Sequence, residues 1–324
     1  MLRQALSLIA LLASSPLQAA CEGPNLIAEL SEADRSTLDA LVASAPYPEG
    51  NLWRAEKDGT TVHVVGTIHI PDPRLERVLT KIAKPIAEAD LVILESTAEL
   101  QTETQRRMTQ EPGLVYIVEG PTLIDRLPEE DWIKLRDRLQ ERGIPGFMAA
   151  KFQPWYAGLV LAIPPCAMDE LASGGAGLDA MIDEEAGMAG VPLVSLDTAD
   201  TIFDLFAHDP MDEQIEMLQL SLSIETDEAA MFATMLDSYF AGHHRELWEF
   251  SRLFASGLAI EEIDALFDEM EQEILIARNL RWAPMILQHL EGRDVVLAVG
   301  AAHLSGETGV LRLLEEAGYK LKPL

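Results

Sequence analysis

The chain is short of positive charge. Against 54 aspartates and glutamates it has 24 lysines and arginines, a formal net charge of −30 over 324 residues. So negative a surface repels phosphate backbones and anionic headgroups, which argues against nucleic acid and polybasic membrane attachment. Cysteine is scarce as well: there are two, Cys21 and Cys166. Neither lies in a Cys-x-x-Cys, so a redox motif or zinc knuckle is not expected. No run beyond the N-terminus reaches the ~20 apolar residues of a membrane span. No low-complexity linker divides the chain. What it does have is 48% hydrophobic residues, enough for a sizeable core.

The first twenty residues read as a targeting signal. Arg3 supplies the positive start, Ala5 to Ala13 the apolar stretch, and Ser14 to Ala20 a small or polar cleavage region. Cleavage after Ala19 or Ala20 leaves Cys21 at or beside the new N-terminus. Gln18, three before that cysteine, is not the aliphatic residue that lipoprotein processing wants, so a lipid anchor is the weaker reading. The expectation is a periplasmic or secreted protein with residues 21–324 as one domain. Two cysteines in an exported chain suggest a Cys21–Cys166 disulfide.

The pattern of elements predicts an α/β fold, a small central sheet with many helices. Ser31 to Ser44 reads as a helix opened by a Ser-x-x-Asp cap. Leu52 to Ala55 and Thr60 to Val65 flank Lys57-Asp58-Gly59 as a hairpin. Lys151 to Pro165 reads as a buried helix closed by Pro164-Pro165. Met211 to His289 is one long helical region with apolar residues at three and four spacings. Tyr319 to Pro323 reads as a tail.

Two segments echo each other. Val65-Gly66-Thr67-Ile68-His69 and Val299-Gly300-Ala301-Ala302-His303 each end an apolar strand in Gly-x-x-His, and a helix follows each. Two more apolar runs, Leu91 to Leu94 and Leu193 to Leu196, end at Glu95 and Asp197. The order His, Glu, Asp, His reads as two pseudo-repeated halves. Ligands of open α/β sheets bind at the carboxyl ends of strands, so these four residues are expected to share a cleft. The glycines are expected to allow positive φ and close backbone approach.

Two imidazoles and a carboxylate suit a divalent transition metal such as Mn, Co, Zn or Fe. Such an ion activates water and polarises a carbonyl. A carboxylate outside its shell serves as base. The plainer readings are strand-end histidines as capped loop residues, Asp197 as a helix cap, and acid–base chemistry without metal. Arg278 reads equally as an anion binder or as the partner of Glu273 or Glu95. His243-His244 reads as surface.

Leu52-Trp53-Arg54, the two Gly-x-x-His segments, Leu94-Glu95 and Arg278-Asn279 together resemble the TraB/GumN family, which includes the Tiki proteases. The resemblance runs from about Asn51 to Leu321. It implies paired α/β halves and a metal-dependent peptidase site. The metal would lie on His69, His303 and Glu95, with Glu95, Arg278 and Asn279 on the catalytic side. The family's Asp-containing segment falls on Gly177-Leu178-Asp179. Leu196-Asp197-Thr198 departs from the Leu-Glu-Thr of many members, which weakens a catalytic role for Asp197. The family also includes pheromone-shutdown and polysaccharide-linked proteins, and related folds bind haem or hydrolyse esters. The expected function is an exported metal-dependent hydrolase, a peptidase, acting on a peptide or small molecule. The alternative is a non-catalytic periplasmic binding protein that sequesters a peptide, haem or small molecule in the same cleft.

Overall fold

In the computed structural model, which describes residues 21–256 and 263–324, six strands form one sheet. They are β1 (Leu52–Lys57), β2 (Thr60–Thr67), β3 (Leu91–Leu94), β4 (Leu193–Ser195), β5 (Val295–Gly300) and β6 (Lys320–Pro323). Their order across the sheet is β4-β3-β5-β2-β1-β6. The predicted targeting signal and its cleavage site lie outside the described residues.

β1 and β2 form the expected antiparallel hairpin. Its turn residues, Asp58 and Gly59, both have positive φ, the geometry that matches the right-handed twist of a hairpin. β2, β5, β3 and β4 all run parallel. β6 pairs antiparallel with β1, so the predicted tail is an edge strand. Its apolar alternation is short, Tyr319 and Leu321 turning to the core between exposed lysines, as suits an edge strand.

The central strands read as unbroken apolar runs because both their faces are covered. Leu91, Ile93, Val295, Leu297 and Val299 pack on one side with Trp282, Ile286, Leu290, Leu311 and Leu314. Those partners come from the helices Ala277–Leu290 and Val310–Glu316. Val92, Leu94, Val296 and Ala298 pack on the other side with Leu75, Ile82, Ile86, Leu178 and Ile182. Their helices are Leu75–Glu88 and Leu178–Ala189. A separate apolar cluster, including Leu123, Leu135, Leu139, Phe152, Leu218 and Leu222, contains no strand residue.

Two expectations change in detail. The stretch after Lys151 forms a helix over Pro154–Leu161, and Pro165 opens the next helix, Pro165–Ala172, instead of closing the first. Proline lacks the N–H that a first helical turn leaves unused. The long helical region divides into Met211–Ser223, Glu228–Ala241, His244–Ser256, Ile263–Glu271 and Ala277–Leu290. A π-turn, Gln272–Ile276, joins the last two.

Cys21 and Cys166 are joined in a disulfide with Cα atoms 5.3 Å apart, which ties residue 21 to the middle of the chain. Among the described residues, no helix is long and apolar enough to cross a membrane.

Candidate functional site

Four parallel strands present their carboxyl ends along one edge of the sheet. Read across it as β4, β3, β5 and β2, the residues just past those ends are Asp197, Glu95, His303 and His69. Pairing continues past the strands: Asp197 N–H donates to Glu95 O at 3.1 Å, and Glu95 N–H to Ala298 O at 3.3 Å. A cleft of about 520 Å³ opens there, lined by all four residues together with Asp179, Arg278 and Gly300. Its walls are largely apolar, with Ile68, Ile70, Met235, Leu247, Trp248 and Leu275 among them.

His303 is buried, at 4% exposure. Its Nδ1 lies 2.8 Å from Asn279 Oδ1, and Arg278 Nη1 donates to its Nε2 at 3.1 Å. A guanidinium can only donate, so Nε2 accepts and the ring proton sits on Nδ1. Asn279 Nδ2 also donates to the backbone carbonyl of His303 at 3.2 Å, so one amide fixes both the ring and the main chain of this residue. The ring of Trp282 lies 4.6 Å away. Burial lowers the His303 pKa to about 4, Glu95 opposing and Arg278 reinforcing the fall.

Arg278 is buried among acceptors. Its Nη2 donates to both Glu95 and Asp197. Its guanidinium lies 4.6 Å over the ring of Trp282, whose Nε1 donates to Asp197 Oδ1 at 2.9 Å. Glu95 Oε2 accepts from Gly300 N–H at 3.2 Å. Burial alone would raise the Glu95 pKa. At the low pH where that carboxyl titrates His303 is itself protonated, and its charge, with those of Arg278 and His69, outweighs burial and holds Glu95 well below its usual range. Of the two alternatives expected for an Arg278 ion pair, Glu95 or Glu273, the structure has Glu95, and Asp197 is a second partner that was not expected. Asp197 is not the cap of the following helix: Thr198 fills that position, its side chain accepting from Thr201 N–H.

His69 differs. Its side chain is 57% exposed, and its Nδ1 lies 3.0 Å from Asp179 Oδ1. That carboxylate raises the His69 pKa to about 9, against the opposing pull of burial. Gly177 makes the contact possible. A Cβ there would lie 2.4 Å from the His69 carbonyl carbon, so any larger residue would push the Asp179 helix away. Leu178 N–H donates to Ile68 O at 2.9 Å, which pins the same approach.

The three expected ligands converge at Gly300. A Cβ built there would stand 3.5 Å from Glu95 Oε2, 3.6 Å from His303 Cδ2 and 3.9 Å from His69 Nε2. Those distances place the two imidazoles within about 8 Å of each other. Among the described residues, no three His, Cys, Asp or Glu side chains are grouped to hold a metal ion as they stand.

Neither motif glycine has positive φ. Gly66 is needed for space: a Cβ there would lie 2.8 Å from Leu304 Cδ1 and 3.1 Å from Ala301 Cα. His244 is not at the surface. It is buried, with Nδ1 3.2 Å from Asn51 Oδ1 and Nε2 3.2 Å from Tyr47 O. His243, just before the helix His244–Ser256, is half-buried, with its Nδ1 3.3 Å from Glu246 Oε2. Trp282, which contacts His303, Arg278 and Asp197, carried no motif. Its signal was position alone, four residues after Arg278 and hence on the same helix face.

The fold and cleft define an α/β protein with ionisable residues gathered at the carboxyl edge of a mixed sheet. The chain belongs to the TraB/PrgY/gumN family, whose sequence profile matches residues 51–323. No curated protein matches the chain.

Proposed function

We propose that this protein is an exported metal-dependent hydrolase acting on peptides, with His69, His303 and Glu95 as the ligands of a divalent Mn, Co, Zn or Fe ion. One observation carries the reading. Both motif histidines have Nδ1 turned to a partner, Asp179 or Asn279, and both rings lie beside Glu95 at Gly300. Metal-binding histidines are held in this way, with the distal nitrogen engaged and the other facing the ion. The donor chemistry therefore fits a first-row divalent ion, although Arg278 now occupies His303 Nε2 and Glu95 Oε1. When bound, such an ion would polarise a carbonyl and lower the pKa of water.

The chain's own residues divide the remaining work. Asn279 keeps the His303 proton on Nδ1, and Asp179 orients His69. Glu95, ionised at neutral pH, completes the ligand set or, outside it, takes a proton from water. Arg278 offers positive charge to an oxyanion or to a substrate carboxylate. On this reading the two Gly-x-x-His arms are the matching parts of two related halves. The Cys21–Cys166 disulfide supports an oxidising compartment, in keeping with the proposed signal.

The apolar cleft walls favour a second reading, a binding protein that holds a peptide, haem or small molecule without cleaving it. Elemental analysis of chelator-free protein, with peptide hydrolysis measured alongside, separates the two. Metal near one per chain, lost in His69→Ala and in His303→Ala together with hydrolysis, supports the enzyme. Metal uptake that ignores both substitutions refutes the ligand set. A peptide bound but left intact by metal-loaded protein supports the binding reading.

A further inference from the structure

We infer that Arg278 is an internal cation that competes with the metal for Glu95 and His303, with Asp197 as the carboxylate to which it withdraws. The inference rests on the ligand set proposed above. A histidine nitrogen has one lone pair, and the lone pair of His303 Nε2 accepts from Arg278 Nη1 at 3.1 Å. Arg278 Nη2 donates to Glu95 as well. The guanidinium and a metal ion cannot share these atoms. A divalent ion arriving while Arg278 stays in place also meets a full positive charge in a buried site, where screening is weak.

The competition can resolve because Arg278 has a second set of partners that the metal does not need. Asp197 Oδ2 accepts from the same Nη2, and Trp282 provides its ring beneath the guanidinium. Asp197 is itself held by Trp282 Nε1 at 2.9 Å, and the carbonyl of Ile274 lies 3.4 Å from Nη1. Arg278 can therefore release Glu95 and His303 without becoming an unpaired buried charge, the outcome that would otherwise forbid the movement. This gives Asp197 a defined role that needs no contact with metal or substrate. It is a positioning residue for Arg278. The consequence is a site whose metal affinity is set by a protein side chain and lies below what its ligands alone would give.

Titration of the full mature chain with Co²⁺ alone tests this. Calorimetry gives Kd, and the visible absorption of the bound ion reports imidazole ligation. Arg278→Gln should tighten Co²⁺ binding by at least about tenfold, since it removes a unit charge at contact distance. Arg278→Lys keeps the charge and protects the fold. Its ammonium is a compact point charge without the planar fork by which Nη1 and Nη2 reach His303 and the two carboxylates separately, so its Kd should fall between those of the wild type and Arg278→Gln. Asp197→Asn should weaken binding in the wild-type background and leave Kd unchanged in the Arg278→Gln background. A carboxylate acting directly through space would instead weaken both. Unchanged or weaker Co²⁺ binding in Arg278→Gln and Arg278→Lys, with His303→Ala still abolishing the signal, overturns the competition and leaves the ligand set standing. Co²⁺ binding that survives His69→Ala and His303→Ala, or is absent from every variant, overturns the ligand set itself.

Discussion

The two Gly-x-x-His arms are alike in sequence and unlike in the protein. His303 is buried, neutral and held by Asn279, Arg278 and Trp282. His69 is more than half exposed and drawn toward its charged form by Asp179. Both follow parallel strands paired side by side, with Thr67 opposite Gly300. The four-residue pattern therefore sets where each imidazole stands. Its charge is set by the element that covers it, the helix Ala277–Leu290 for one and Leu178–Ala189 for the other. Similar motifs can thus bring one acceptor-ready ring and one proton-bearing ring to a single cleft.

The largest expected effect would erase the contrast. If both histidines serve one centre, His69→Ala and His303→Ala should each lower peptide hydrolysis by at least ~100-fold, despite their different surroundings. Full activity in either variant, measured on folded protein, would mean that the arms do separate work.

Stability should sharpen the contrast instead. Trp282 is fully buried against His303 and Asp197, and Trp282→Ala should cost about 3–5 kcal/mol in urea unfolding. His69→Ala, at an exposed position, should cost clearly less than Trp282→Ala, and what it costs should be confined to pH below about 9, where the pair with Asp179 is charged. Similar losses at the two sites would contradict the buried and exposed assignments. Asn279→Ala is the intermediate case. It strips His303 Nδ1 of its acceptor in a buried place and should cost about 1–3 kcal/mol by the same measurement.

The smallest effect is the pH response, and it has opposite signs in the two arms. In metal-free protein, NMR titration of the rings should place His69 near 9 and His303 near 4. The raised His69 pKa stabilises the fold fully below the unfolded value of about 6.5, and that contribution is lost as pH rises through 9. The depressed His303 pKa means that the unfolded chain binds the extra proton first. Its contribution is present above about 6.5 and is lost as pH falls through 4. Asp179→Asn should move the His69 titration back toward its ordinary value and leave His303 in place. A joint shift of both rings would show that they share one electrostatic environment.

Much of this was legible along the chain. Local chemistry set the Asp58-Gly59 hairpin, the Ser31 cap and the apolar runs that become β2, β3, β4 and β5. The same reading placed His69, Glu95, Asp197 and His303 at strand ends, singled out Arg278-Asn279, and paired Cys21 with Cys166. The hairpin, cap and strand ends depend on backbone preference and apolar pattern over a few residues, so short windows reveal them, whereas the cysteine pairing rested on there being two in the chain. β6 was missed because its apolar alternation spans only Tyr319 and Leu321, and its place beside β1 depends on a neighbour's free backbone groups far away in sequence.

Tertiary structure alone decided the rest. The order β4-β3-β5-β2 brings the four strand ends onto one edge, and no local pattern encodes which strand lies beside which. Burial of His244 against the loop of Tyr47 and Asn51, and the partnership of Asp179 with His69, both depend on segments far away in sequence. So do the choice of Glu95 over Glu273 as a partner of Arg278 and the addition of Asp197 to it. Charge states belong with these, because a pKa answers to burial and to neighbouring charges, and both come from residues that only the folded chain brings together.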